Sequence, residues 1–201
     1  IVKTICADYF MEAPLHSKDK DLASNSIKVL KELIFSASKI GVTDIVIPCV
    51  DQSSIKLKND FDRFIENIQQ VVNYLEIYKI NLALETDLPP NDVDRLLQKI
   101  DHNRIKINYD TGNSASLGYN VKEELSAYGH KITDIHIKDR LLNGGPVVLG
   151  RGNANFELFF TEIKKYHYSG PYIMQAYRDD EGLNIFNKQL NFIKPFLEGL
   201  N

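Results

Sequence analysis

Apolar positions along this chain alternate between two rhythms. Short continuous runs at Ile1 to Ala7, Asp44 to Val50, Ile80 to Glu85, Arg104 to Asp110, Ile132 to Arg140 and Tyr172 to Ala176 predict buried strands, the fifth with His136, Lys138, Asp139 and Arg140 gathered as a polar tip at its carboxyl end. Between them, apolar residues recur every three or four positions. Leu22, Ile27, Leu30, Leu33, Ile34 and Ala37 mark one helix, which Gly41 is placed to stop. From Asn59, the residues Phe61, Phe64, Ile65, Ile68, Val71, Val72 and Leu75 share one broad face and predict a single long helix.

Further on, Pro89 and Pro90 break the chain, and Asn91 is expected to cap a short helix carrying Val93, Leu96, Leu97 and Ile100. Thr111-Gly112-Asn113 reads as a turn, and Asn120 caps a helix that runs to Tyr128. The Asn-Gly-Gly-Pro and Gly-Arg-Gly segments after Leu141 make a long loop, Asn155 caps a helix through Tyr166, and Leu183 to Leu200 is a closing helix, kinked or frayed near Pro195. Six strands alternating with six helices predict a parallel α/β architecture in one domain over residues 1–201. An eight-unit barrel takes about 250 residues. This chain supplies six units, so either about two βα units lie before Ile1 and complete a (β/α)8 barrel or the sheet is open; a start without Met and inside a strand favours the barrel with the missing units.

Composition narrows the partners. With 43% hydrophobic and 25% charged residues, the chain is an ordinary globular one, and its net charge of −3 gives no general attraction to nucleic acid or to an anionic membrane. No apolar run reaches the roughly 18–20 residues of a membrane helix, and the start lacks the layout of a signal peptide, so the expected location is cytoplasmic. Cys6 and Cys49 are read as buried thiols in a reducing compartment. His16, His102, His130 and His167 fall in predicted loops or helix ends and are expected at the surface without a role.

Candidate chemistry gathers at strand ends. Glu85, Asp110 and His136 each close a predicted strand in three consecutive βα units, 25 and 26 residues apart. Neighbouring parallel strands lie about 4.8 Å apart, so the three side chains could converge on one ion. A single strand-end carboxylate is ordinarily a solvated group or a helix cap, but three in register are harder to explain that way. Two carboxylates and an imidazole suit Mn²⁺, Mg²⁺, Co²⁺, Fe²⁺ or Zn²⁺. Gln175, ending the last strand, could add a neutral oxygen. Lys138, Arg140 and Arg151 are candidate ligands for substrate hydroxyls or a phosphate, and Arg178 is a weaker anion-binding candidate.

These residues resemble a family. Ala-Leu-Glu at Glu85, Asn-Tyr-Asp-Thr-Gly-Asn at Asp110, Asp-Ile-His-Ile-Lys-Asp at His136, Leu-Gly-Arg-Gly-Asn-Ala-Asn-Phe at 149–156 and Tyr-Ser-Gly-Pro-Tyr-Ile-Met-Gln at 168–175 are similar to the sugar phosphate isomerase/epimerase family of xylose-isomerase-like TIM barrels. The resemblance implies a divalent metal held by Glu85, Asp110, His136 and Gln175. It also implies a small sugar or sugar phosphate substrate and isomerisation or epimerisation through a metal-stabilised enediolate, with Glu85 as ligand and base.

The family usually carries Glu where this chain has Gln175, and an amide cannot serve as a carboxylate base. That speaks against a base on each face of the substrate. It leaves one-base isomerisation or, as the alternative, a noncatalytic or degenerate sugar-binding member of the fold. The metal-dependent endonucleases of the superfamily fit poorly, since only one of five histidines sits at a strand end. Two uncovered strand edges are expected unless an upstream segment or another chain, as in a homo-oligomer, covers them.

Overall fold

The computed structural model describes residues 2–180 and 182–199, so Ile1 and Leu200, the expected ends of the first strand and last helix, lie outside the described residues. The chain forms two compact units, Ile1–Asn108 and Tyr109–Asn201.

In the first unit, β1 (Thr4–Cys6) leads through a four-residue helix α1 (Tyr9–Glu12) into α2 (Lys20–Lys39). Asp19 caps α2 by accepting from Asp21 N and Leu22 N, and Gly41 at φ +79° lets Val42 N–H reach back to the Ala37 carbonyl, closing the helix. Then come β2 (Asp44–Cys49), α3 (Lys58–Gln69), α4 (Val72–Tyr78), β3 (Asn81–Thr86), α5 (Pro90–Ile100) and β4 (Ile105–Asp110), whose last two residues belong to the second unit. The four strands are parallel, in the order β1-β2-β3-β4.

Every residue of β2 is buried, as expected for a strand covered on both faces. Pro48 is tolerated there because β2 residues of its parity face β1, and β1 pairs no further than Cys6 with Val46. Its missing N–H therefore has no ladder partner to lose.

Three expectations change in this unit. The long helix from Asn59 is interrupted: Gln70 N–H turns back to the Asn67 carbonyl and Val71 N–H to the Ile68 carbonyl, three residues each. The tightened turn keeps Ile68, Val71 and Leu75 all buried, which a continuous 3.6-residue repeat serves less well. Pro90 rather than Asn91 begins α5, occupying a first-turn position where no N–H is needed. Cys6 is exposed on an edge strand of three residues, and only Cys49 is the expected buried thiol.

The second unit contains α6 (Thr111–Leu117), α7 (Val121–Tyr128), β5 (Ile132–Ile137), a small antiparallel hairpin of β6 (Asp139–Arg140) and β7 (Pro146–Val147), then α8 (Phe156–Ile163), β8 (Tyr172–Met174) and α9 (Leu183–Glu198). β5 and β8 are parallel neighbours, with His136 opposite Ile173 and Ile137 opposite Met174. Its core is aromatic: Phe159 stacks on Tyr109 with centroids 5.0 Å apart, and Phe160 stacks on Phe196 at 5.5 Å. Asn120 and Asn155 cap α7 and α8 as read from the sequence. The supposed turn at Thr111 is instead the start of α6.

Candidate functional site

In the first unit, β3 delivers Glu85, which is 5% exposed, opposite Pro48 in the register. Burial, then the negative charges of Asp87 and Glu85, push the nearby Cys49 thiol up, so it stays protonated at neutral pH.

In the second unit, Asp110 ends β4 and is the N-cap of α6. Its Oδ1 accepts from Gly112 N and Asn113 N, both at 2.8 Å. Those two bonds fix the carboxylate. Its other oxygen, Oδ2, is buried without a hydrogen-bond donor, and its nearest cation is the Lys138 ammonium at 3.7 Å. A carboxylate held by one oxygen with the other bare is suited to taking a cation. His136, 2% exposed, has a ring nitrogen within 4.8 Å of a carboxylate oxygen of Asp110. Two of the three strand-end residues expected from the sequence, Asp110 and His136, thus lie together.

The turn around this pair is tight. Thr111 Oγ1 accepts from Lys138 N at 3.0 Å and donates to the Lys138 carbonyl at 2.7 Å, clamping α6 to the end of β5. Gly112 is required by this approach, since a Cβ there would lie 2.7 Å from Lys138 Cγ and 2.9 Å from Lys138 Cβ. Lys138 in turn reaches Gln175, its Nζ donating to Gln175 Oε1 at 3.3 Å. The four polar groups Asp110, His136, Lys138 and Gln175 therefore belong to one strand-end cluster.

The remaining candidate cations differ in freedom. Arg140 donates from Nε to the Gly144 carbonyl at 3.0 Å and from Nη1 to Asn113 Oδ1 at 2.9 Å, so two of its donors are spent on holding the hairpin and α6. Arg151 and Arg178 are exposed. Asp139, which sequence reasoning grouped with the polar tip of β5 without a role, is fully buried and accepts from three backbone N–H groups, Gly150, Gly152 and Ala154, at 2.8 to 3.0 Å. It organises the loop that carries Arg151. The Gly-Arg-Gly repeat was the available signal, because closely spaced glycines mark a backbone that something approaches.

His16 departs from the surface expectation: it is 6% exposed and packs edge-on against Phe64. Burial is the main cause holding its pKa below the usual histidine value, and the neighbouring Asp60 only partly offsets it. His130 and His167 are exposed as read, and His102 is intermediate. On the opposite face of β4 from Asp110, a cavity of about 190 Å³ bounded by Tyr109, Asn120, Asn153 and Phe159 lies away from the charged cluster.

Comparison with known proteins adds the family. The profile described as xylose isomerase-like TIM barrel matches residues 2–196. The L-ribulose-5-phosphate 3-epimerase UlaE of Escherichia coli is 24% identical over 185 residues, covering 89% of this chain. The chain spans 65% of the length of that curated relative. Among solved structures, a D-tagatose 3-epimerase-like protein superposes with a TM-score of 0.81 at 18% identity, covering all of this chain and 79% of the other. The IOLI protein with a binding zinc atom superposes at a TM-score of 0.75 and 15% identity, covering 98% and 74%. No helix among the described residues is long and apolar enough to cross a membrane.

Proposed function

Because the chain belongs to the xylose isomerase-like TIM barrel family, we propose that it carries the metal-ligand and proton-transfer part of an epimerase or isomerase acting on a small sugar or sugar phosphate. The supporting observation is the state of Asp110: one oxygen pinned by two backbone amides, the other buried without a hydrogen-bond donor, and a His136 ring nitrogen within 4.8 Å of the carboxylate. That arrangement fits a divalent cation. Asp110 and His136, joined by Glu85 from β3, would be the protein ligands. The metal, when bound, supplies positive charge that polarises the sugar carbonyl and makes the adjacent C–H more acidic.

The chain's own residues do the rest. Glu85 takes the proton from the carbon beside the carbonyl and returns it on the same face to the carbonyl carbon, which completes an isomerisation. Inversion at the first carbon would need a proton delivered to its opposite face, which Gln175 as an amide does not supply. Asp110 cannot share that task, since its Oδ1 is committed to the α6 amides and its Oδ2 to the cation. Lys138 stands near enough to Asp110 to balance its charge. Arg151, exposed on the loop that Asp139 organises, is the cation proposed for a substrate phosphate, since it is free of the bonds to Gly144 and Asn113 that hold Arg140. The UlaE relative is named for L-ribulose 5-phosphate, and a ketopentose phosphate of that kind is the substrate class proposed here.

The test is calorimetric titration of the metal-stripped full-length protein with Mn²⁺ and Zn²⁺, paired with assays of aldose–ketose isomerisation and of 3-epimerisation on L-ribulose 5-phosphate. Micromolar or tighter binding is expected, with D110N and H136A each losing more than the roughly 10- to 100-fold typical of an outer-shell change. A protein that binds neither ion and turns over no ketose with or without them refutes the proposal.

A further inference from the structure

The cluster holds one residue whose expected role its own hydrogen bond argues against. Gln175 follows β8, and its backbone N–H donates to the Ile137 carbonyl at 3.1 Å, the bond that closes the pairing of Ile137 with Met174 at the end of the β5·β8 ladder. That register sets Gln175 directly beside Lys138. Residues two apart share a face of a strand, so Lys138 and Gln175 lie on the same face as His136. The two side chains then meet at 3.3 Å, Lys138 Nζ to Gln175 Oε1. An ammonium has three donors and no acceptor, so the amide atom turned toward it must be the oxygen. The Nε2 group, with two N–H donors, is consequently the end left for other partners.

We propose that Gln175 serves the site as a hydrogen-bond donor to a sugar oxygen and is not a metal ligand, and that Lys138 is the positioning residue that fixes its amide this way round. Gln175 Oε1 already neutralises part of a full positive charge, and such charge-assisted bonds are about twice as strong as neutral ones. Giving that oxygen to a metal would break the bond and set two cations beside one neutral amide. Lys138 is itself oriented by the Asp110 Oδ2 at 3.7 Å, so the ammonium joins the ligand carboxylate to the amide. A hydroxyl or carbonyl oxygen of a ketose is the partner an amide N–H₂ accepts without charge cost. The substrate class rests on the proposed function, but the donor assignment rests on the Lys138 contact.

The test uses the full-length protein and four forms: parent, Q175A, K138M and the double variant. Mn²⁺ affinity is measured by calorimetry, and affinity for L-ribulose 5-phosphate and D-tagatose is measured separately, with and without Mn²⁺. Q175A is expected to leave Mn²⁺ affinity within about 3-fold of the parent and to weaken sugar binding by about 3- to 10-fold, the worth of one neutral hydrogen bond. In the K138M background the same change should cost less than about 2-fold, because the amide is no longer held; this coupling is one that general loss of structure would not produce. Circular dichroism confirms that each variant is folded.

A loss of Mn²⁺ affinity of about 30-fold or more in Q175A makes Gln175 a ligand and overturns the inference while leaving the proposed function standing. Parent protein that binds sugar but no metal ends the metal reading and leaves the donor role to be read from Q175A. Sugar affinity that does not respond to Q175A, or that is absent from the parent, overturns the donor role.

Discussion

Replacement of Asp139 gives the most direct check on how the loop beside the site is built. Its carboxylate is 0% exposed and accepts from Gly150 N and Gly152 N through Oδ2, at 2.9 and 2.8 Å, and from Ala154 N through Oδ1 at 3.0 Å. Gly152 is packed so closely that a Cβ there would collide with Oδ1 and sit 2.5 Å from the Arg140 carbonyl. Hydrogen bonds to a charged group are worth about 1.5–3 kcal/mol each, and three converging on one group do not add fully. D139A is therefore expected to destabilise the protein by about 4 kcal/mol.

D139N should cost less, about 2 kcal/mol, because the single amide oxygen can keep the two donors that share Oδ2 while its N–H₂ opposes the third. Urea unfolding monitored by circular dichroism reads both values, and the slope with denaturant checks that the folded state is otherwise intact. For a chain of this size D139A corresponds to a fall in Tm of about 10 °C. Hydrogen exchange localises the effect: protection at Gly150, Gly152 and Ala154 should be lost in D139A. A cost below about 1 kcal/mol, or a D139N protein less stable than D139A, refutes the assignment of Asp139 as the anchor of this loop.

Two further outcomes follow from burial elsewhere. In the native protein one thiol, Cys6, should react rapidly with an aromatic disulfide reagent, and Cys49 only after unfolding, because Cys6 is exposed whereas burial keeps the Cys49 thiol protonated; two equally fast thiols would contradict this. Glu124 is 2% exposed and accepts from the hydroxyls of Tyr109, Ser114 and Tyr128, yet its pKa is raised, with burial the largest cause outweighing those three donors. A carboxyl whose folded pKa lies above its unfolded value supports the fold fully below the unfolded value and loses that support as pH rises through the folded one. E124Q should therefore gain unfolding free energy relative to the parent at pH 8 and much less of it at pH 4.5, and a difference that does not vary with pH would be inconsistent with the cause given.

The strands and most helices were legible in the sequence because each is written in a repeat of period near one, two or 3.6 over several residues. What escaped is what repeats cannot encode. The helix after Asp110 contains Thr111, Gly112, Asn113, Ser114, Ala115 and Ser116, with too few apolar residues to show a face, so glycine and asparagine suggested a turn. Its start is set by a side chain, Asp110, that the sequence had marked for another purpose. Arg140 looked like a free cation because the groups that immobilise it, Gly144 and Asn113, are a loop carbonyl and a residue 27 positions away. His16 sits in a polar stretch that reads as surface, but α3 covers it with Phe64 and the Arg63 guanidinium, which donates to the His16 carbonyl.

The candidate ligands were legible for a different reason: they close strands, and parallel strands bring their ends to one level. The same argument could not distinguish a cap from a ligand, and Asp110 is where the distinction dissolves. Capping α6 consumes one carboxylate oxygen and, by doing so, holds the other in place, buried and without a hydrogen-bond donor. Thr111, the next residue, fastens the backbone of Lys138, and Lys138 takes the oxygen of Gln175. One turn of chain after β4 thus orders Asp110 and Lys138 together. Loss of the cap would release both, and an Asp110 variant should consequently disturb the Lys138–Gln175 pair as well as any bound metal, through a single local cause.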